Sequence, residues 1–474
     1  MTAEGTLLVT ARRAPARVVN PGLLGATLVL LGGLVISAVP ESSWVSHIPL
    51  RHTMPGRMTG LTVVVTGLAL MSVAWVRLWR AAGRHQVDLG AVRRATLIWC
   101  APLLLAPPLF SRDGWSYAAQ GELTHIGLSP YVWGPGILRG PIVEAVDPRW
   151  MLTPTPYGPL PLLWGSSALH FVQSPWALVV AHRLLALIGL ALLAWALPRL
   201  AAWTRYDAAF VSALVLPCPL LLAHGVGGLH NDLLMVGLAG VALVLAAERG
   251  WLLGAVVGGL AASVKVPGGL VCVGVALLSL PVAATTWQRL VRLGQVGAVS
   301  VATLVGVGEW AGVGIGWVHA LGVPGTVRTP LSITTTIGYV VPGAHVAGEL
   351  AALGVVAWVA LRWPTGSAEA GLRAAALIMT VTVVLSPVVH PWYPLWCLPL
   401  VAACHLRGRW LAVLVWFSFA LGITAPLDSE LRGLYVAIAL TITLVVGVAI
   451  GLTWAVRPSA LPVPRAPAPR SVRA

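Results

Sequence analysis

The chain has 474 residues, 58% of them hydrophobic and only 9% charged, with a formal net charge of +15. Soluble domains carry about 25% charged residues, so a soluble globular protein is excluded and an integral membrane protein is indicated. The excess of arginine is no mark of a nucleic-acid partner, because the basic residues sit in short clusters between apolar runs, as membrane topology requires.

Fourteen runs read as membrane spans, at roughly 19–39, 58–76, 95–110, 176–197, 208–224, 233–247, 252–265, 267–284, 294–315, 346–362, 374–389, 393–406, 410–425 and 434–456. The expected fold is therefore an all-α bundle of about 13–15 spans. Several runs fall short of the ~20 residues of a full crossing, which is tolerated where a helix lines a protein cavity. The first run follows Arg12, Arg13 and Arg17. It is longer than a signal-peptide core and lacks a convincing A-x-A site, so it reads as a retained span.

With the N-terminus in the cytoplasm, 21 of the 30 Lys and Arg residues fall on that side and seven outside, while Arg183 and Lys265 lie within spans. This bias supports the orientation. The apolar segment 159–172 would reverse the later bias if it crossed. It is therefore expected to be an interfacial or re-entrant helix on the outer face, inside an outer loop spanning 111–174. Connections that long inside a compact fold are usually functional. The organisation expected is a transmembrane pair with a basic cytoplasmic loop over 1–94, a core over 95–400, C-terminal helices over 401–456, and a disordered cytoplasmic tail over 457–474. Five cysteines all fall in apolar runs without a CxxC pair. They read as small core residues, with no disulfide framework or zinc site.

Soluble-enzyme motifs for phosphate loops, dinucleotides or metal-bound water are missing. Polar residues instead gather in strings that the topology places on the outer side. FSRDGWSYAAQGELTHIGLSPYVWGP, from Phe110 to Pro135, sets Asp113 beside Trp115, Tyr117 and Tyr131. A carboxylate partly desolvated by aromatic rings suits a general base for a hydroxyl proton. Gln120 and the tyrosines suit sugar, since rings cover C–H surfaces and amides pair with hydroxyls; a helix-end carboxylate in an aromatic belt is the plainer reading. GGLHNDLLMVGL carries His230, Asn231 and Asp232, costly at the edge of hydrocarbon unless they only cap the next helix. SVKVPGGL holds Lys265, which with Arg183 could grip a phosphate or merely snorkel. SPVVHPWYPLW brings His390, Trp392 and Tyr393 to a proline-broken helix end. No metal-ligand spacing occurs among these His and carboxylates, so a metal is possible but not indicated.

Taken in order, SRDGWSYAAQG with SPYVWGP, then TPYGPL with Tyr157, GGLHNDLLMVGL, SVKVPGG and SPVVHPWY resemble the actinobacterial polyprenyl-phosphomannose-dependent α-(1→6)-mannosyltransferases of the GT-C superfamily. The likeness runs from about Pro107 to Trp396; Gly114 and Trp115 depart from its pattern, and the chain is somewhat short. It implies a GT-C-like bundle in the plasma membrane with its active site on the outer, periplasmic face. It also implies a catalytic aspartate matching Asp113, a polyprenyl phosphomannose donor and a mannan or lipoglycan acceptor. A relative using another lipid-linked sugar, such as arabinofuranose, a secondary transporter or a non-catalytic envelope subunit are the alternatives. No cofactor is implied with certainty.

The orientation is testable. In a background lacking the native cysteines, cysteine at position 113 should react with an impermeant reagent applied to intact cells, and cysteine at Arg84 should not. Labelling of position 84 from outside overturns the topology.

Overall fold

Uninterrupted apolar runs with good caps become straight helices. In the computed structural model, which describes residues 16–427 apart from 324–326, 328 and 330, and Gly447 besides, these are α1 (Ala16–Ile36), α2 (Met54–Gly83), α6 (Pro175–Trp203), α11 (Thr286–Trp310) and α12 (Ala344–Arg362). All five are long and apolar enough to cross a membrane. Thr53 caps α2 by accepting from the Gly56 N–H, and Ser174 caps α6 by accepting from Ala177 N–H. Thr285 and Gln288 form a reciprocal capping box on α11.

Between and after these lie α3 (Leu89–Leu103), α4 (Asp113–His125), α5 (Pro159–Ala168), α7 (Ala208–Val215), α8 (Asp232–Arg249), α9 (Trp251–Val264), α10 (Val271–Leu278), α13 (Ala368–Val384), α14 (Leu398–Ala403) and α15 (Gly408–Ile423). No strand occurs among the described residues. The architecture is an all-helical, multi-pass membrane bundle, in agreement with the GT-C-like fold that the resemblance implies. The expected span 434–456 and the tail from 457 lie outside the described residues, Gly447 excepted.

Helix α8 is the hub. It is apolar almost all round, and nearly every residue from Asp232 to Ala246 is buried, as a helix enclosed by others must be. Helices α11 and α12 sit at the rim, with only 17% and 11% of their apolar windows buried by protein. Trp indole N–H groups tie the layers: Trp99 donates to Val19 O at 3.0 Å, joining α3 to α1, and Trp75 to Ala213 O at 3.0 Å, joining α2 to α7.

Several expected spans are broken rather than straight, and proline is the reason. It removes a donor and clashes with the preceding turn. Helix α7 stops at Val215, ahead of Pro217 and Pro219; a π-helical turn, Leu221–Gly227, follows and meets α8 at a bend of 107°. Helix α9 stops at Val264, where Lys265 is extended at φ −157° and ψ 128° ahead of Pro267. Helix α13 stops at Val384, short of Pro387. The segment 159–172, set apart in the sequence as too short to cross, forms the ten-residue helix α5.

Broken helices leave carbonyls without helical partners, and Arg183 donates to four carbonyls near such ends, two of which, Val226 O and Gly227 O, also accept from the N–H groups of Leu229 and Leu109. Its guanidinium donates to Leu104 O at 2.9 Å, Gly227 O at 3.3 Å, and Pro107 O and Val226 O at 3.4 Å. The side chain is 2% exposed. The expectation that Arg183 grips a phosphate is therefore corrected: its donors face the ends of α3 and of the π-helical turn. Replacement by Met should lower stability by about 3–5 kcal/mol, the range for breaking a buried charged cluster. Thermal unfolding in detergent checks this; a wild-type midpoint would show that the clamp contributes nothing.

Candidate active site

The chain leaves α3 and turns sharply at Phe110, a buried residue with φ +64°. Leu109 N–H bonds to Gly227 O at 3.1 Å, which fixes this turn against the broken end before α8. Ser111 Oγ accepts from Asp113 N–H at 3.0 Å, and α4 begins at Asp113. A carboxylate in the first turn of a helix sits at its positive end. Gly114 packs closely here, since a Cβ would lie 2.6 Å from Leu229 Cδ1 and 3.0 Å from Pro108 Cγ, so a larger residue would displace the leucine. Trp115 donates to Ala38 O at 3.0 Å and packs edge-on against Trp176. Both departures from the resembled pattern thus have packing reasons. Helix α4 then crosses α5 where Gly121 faces Gly165, so closely that a Cβ on Gly121 would lie 2.8 Å from the Gly165 Cα.

Asp113 is held from three directions. Tyr157 OH donates to its Oδ2 at 3.0 Å, Tyr117 OH at 3.5 Å, and His230 Nδ1 lies 3.6 Å away. The tyrosine hydroxyls also bond each other at 3.1 Å. Burial first, and then the Asp113 charge, push the pKa of both tyrosines well above the ordinary phenol value. They stay protonated and remain donors across the working pH range. The Asp113 side chain is 13% exposed, a narrow opening.

That opening leads into a narrow cleft with a cavity of about 60 Å³. Of the residues singled out in the sequence, Asp113, Gln120, Tyr157, His390, Trp392 and Tyr393 line it. Gln120 Oε1 accepts from Thr155 Oγ1 at 3.0 Å, and Thr155 N–H bonds to Pro130 O at 2.9 Å, so the 155–158 loop is anchored on α4. Gly158 N–H bonds to Val264 O at 2.9 Å, which joins that loop to the break before Lys265. Trp392 is sandwiched between His230, at 3.7 Å, and His390, at 4.6 Å, with rings nearly parallel.

A second layer supports the wall. Lys265 Nζ lies 3.1 Å from Asp232 Oδ1 and packs on the faces of Tyr393 at 4.3 Å, Trp396 at 4.9 Å and Tyr157 at 5.1 Å. Trp396 Nε1 donates to the same Asp232 oxygen at 2.5 Å. Asn231 precedes α8 without a side-chain cap bond, and neither of its side-chain polar atoms has a hydrogen-bond partner among the described residues. The plain capping turn is thus not what this string forms.

Two placements are corrected. Tyr131 is apart from the cleft, packed on Leu162 and Ala320, because Pro130 anchors the 155–158 loop and turns the tyrosine away. Lys265, paired in the sequence reading with Arg183 as a phosphate grip, is 6% exposed and committed to Asp232 and three rings. Cleft residues that the sequence did not mark include Ser116, Trp150, Thr153, Val327 and Val388. Trp150 carried no distinguishing signal among 22 tryptophans. It is placed by the Asp147–Arg149 turn, bonded at 2.7 and 3.0 Å. Burial alone would raise the Asp147 pKa, but the Arg149 bonds outweigh it and hold the carboxyl below its usual range. Among the described residues no group of three or more His, Cys, Asp or Glu could hold a metal ion.

Against known proteins, residues 18–281 match the model of the alpha-(1->6)-mannopyranosyltransferase N-terminal domain, and residues 303–454 match the MptB C-terminal domain. A Mycolicibacterium smegmatis protein named "Probable alpha-(1->6)-mannopyranosyltransferase" is 33% identical, over 85% of this chain and 82% of the relative. Alpha-(1->6)-mannopyranosyltransferase A of Mycobacterium tuberculosis is 30% identical, over 85% and 83%. Alpha-(1->6)-mannopyranosyltransferase B of Corynebacterium glutamicum is 30% identical, over 91% and 79%. No solved structure matches.

The buried pair makes a sharp prediction. Lys265→Met strands Asp232 among apolar groups and should cost about 3–5 kcal/mol. Adding Asp232→Asn removes the stranded charge and should restore part of that loss. Thermal unfolding of both single variants and the double variant gives the coupling energy. Strict additivity would show that the two side chains do not support each other.

Proposed function

The chain belongs to the alpha-(1->6)-mannopyranosyltransferase family, and from that premise we propose that it moves mannose from polyprenyl phosphomannose to a mannan or lipoglycan acceptor at the outer face of the plasma membrane. Asp113 is the general base. The observation that carries this reading is a carboxylate at a helix N-terminus, gripped by two protonated tyrosines, opening into an aromatic-walled cleft.

The step follows from that arrangement. Asp113 takes the proton from an acceptor hydroxyl as its oxygen bonds to mannose C1. The bond from C1 to the phosphate oxygen breaks on the opposite face, and polyprenyl phosphate leaves with the electron pair. Configuration at C1 inverts. A glycosidase needs a second carboxylic acid to protonate its leaving oxygen, whereas a phosphate leaves without one, so one carboxylate suffices. Tyr157 and Tyr117 orient Asp113 so that the acceptor oxygen approaches a fixed base. Gln120 and Ser116 supply hydrogen bonds to sugar hydroxyls, Trp150 supplies a ring face for its C–H surfaces, and Trp392 and Tyr393, whose faces are covered by neighbouring side chains, present ring edges. The same residues would serve another lipid-linked pentose or hexose, so linkage analysis of the product separates mannose from arabinofuranose.

Asp113→Asn keeps the shape and loses the proton acceptor. It should lower kcat by about 10²–10⁴-fold, with expression and donor affinity retained, in an assay of polyprenyl phosphomannose with short mannosides. Wild-type turnover would remove Asp113 from the mechanism and leave Asp232 as the next carboxylate to examine.

A further inference from the structure

Among the described residues, the lining of the cleft that holds Asp113 contains no arginine or lysine. Lys265 is occupied by Asp232, and Arg183 by backbone carbonyls. Yet a lipid-linked sugar brings a phosphate to the site. The structure does contain a cationic cleft, and it lies on the other side of the Arg112–Asp113 peptide.

This second cleft is open to solvent and lies between the C-terminal end of α1 and the first turn of α2. Arg51, Arg57, Arg112 and His52 line it together with one carboxylate, Glu41, while Asp147 acts on Arg112 and Glu144 lies beside Glu41. Val35, Ile36 and Val39 form an apolar wall beside these cations. Arg51 is held rigidly, donating to Leu34 O and, at 2.6 Å, to Ser37 O. His52 Nε2 is 2.7 Å from Ser46 O. Glu41 is tied through its N–H to Glu144 Oε2 at 2.8 Å. Arg57 is exposed in the first turn of α2, a turn with no acidic residue. A cation at a helix N-terminus opposes the helix dipole, so this position is unfavourable unless an anion is near. Both flanking helices are long enough to span a membrane, so the cleft sits where two spans end, at headgroup depth, on the same side as Asp113.

We propose that this cleft binds a phosphate carried by a lipid, with Arg57 as its charged contact, Arg51 fixing its floor, and the Val35–Val39 wall meeting the first carbons of the chain. Guanidinium groups meet phosphate in charge-assisted, often bidentate bonds, and an apolar wall beside them suits a lipid phosphate better than a free ion. Two lipids present this chemistry: the polyprenyl phosphate of the donor and a phospholipid headgroup of the bilayer. The donor version rests on the transferase reading above.

The test uses full-length protein in phosphatidylcholine nanodiscs, with polyprenyl phosphate and phosphatidylglycerol as separate probes and thermal shift as the binding readout. At least one probe should stabilise the wild type. Arg57→Gln should weaken that probe about tenfold, the scale of one charge-assisted contact. Arg57→Glu should weaken it further, Arg57→Lys should retain most of it, and the control Arg84→Gln should leave it unaltered. A parallel rise in the KM for polyprenyl phosphomannose in Arg57→Gln assigns the phosphate to the donor. An unaltered KM with a lost phosphatidylglycerol response assigns it to the bilayer. Equal affinity of wild type and Arg57→Glu for both probes overturns the proposal, as does failure of both probes to bind the wild type. The binding readout needs no turnover, so a protein that binds but transfers no mannose would refute the transferase reading and leave this one standing.

Discussion

A lysine and an aspartate 3.1 Å apart, both almost wholly enclosed, stand where two helices have been interrupted. Neither ion could be held there alone, because an unpaired charge among apolar groups costs several kcal/mol. The pair therefore requires that α8 start at Asp232 and that α9 end just before Lys265. Three aromatic rings close over the lysine, and two of them, Tyr157 and Tyr393, are also walls of the cleft. Tyr157 in turn grips Asp113. The position of the candidate base is thus set by a chain of contacts that begins at a buried ion pair 119 residues further along the sequence.

The broken helices are the other half of that design. An irregular backbone at membrane depth is tolerated only where protein supplies the missing hydrogen bonds. Arg183 supplies four to the ends of α3 and of the π-helical turn. Arg289 plays a similar part elsewhere, donating to Ala284 O, Ala360 O and Trp363 O. In the sequence, Arg183 looks like a charge in want of a ligand, and Arg289 counts only as one of the basic residues on the cytoplasmic side. In the fold they satisfy carbonyls that prolines and helix ends have released.

Charge is divided between two clefts. One presents a carboxylate, an amide and aromatic faces, the chemistry of a sugar hydroxyl and a sugar ring. The other presents guanidinium groups and an aliphatic wall. A single peptide, Arg112–Asp113, separates them.

Composition alone established the membrane class, because 9% charge cannot cover a soluble surface. The polar strings marked residues that share one cleft, since polar residues at hydrocarbon depth are expensive and are retained only for a reason. Asp113, Gln120, His390, Trp392 and Tyr393 were legible that way, Tyr157 only through the family resemblance, and each lines the cleft. The helix breaks were not read from the sequence, which took 208–224 and 374–389 as single spans although Pro217 and Pro387 stand within them. Nor was partner choice legible. Whether Lys265 meets a phosphate or Asp232, whether Arg183 meets a ligand or carbonyls, and whether Tyr131 faces the cleft or Leu162 depend on contacts between segments far apart in the chain. One-dimensional spacing specifies which residues can carry charge and hydrogen bonds; only close packing of α8 against its neighbours decides which of them consume one another and which are left facing substrate.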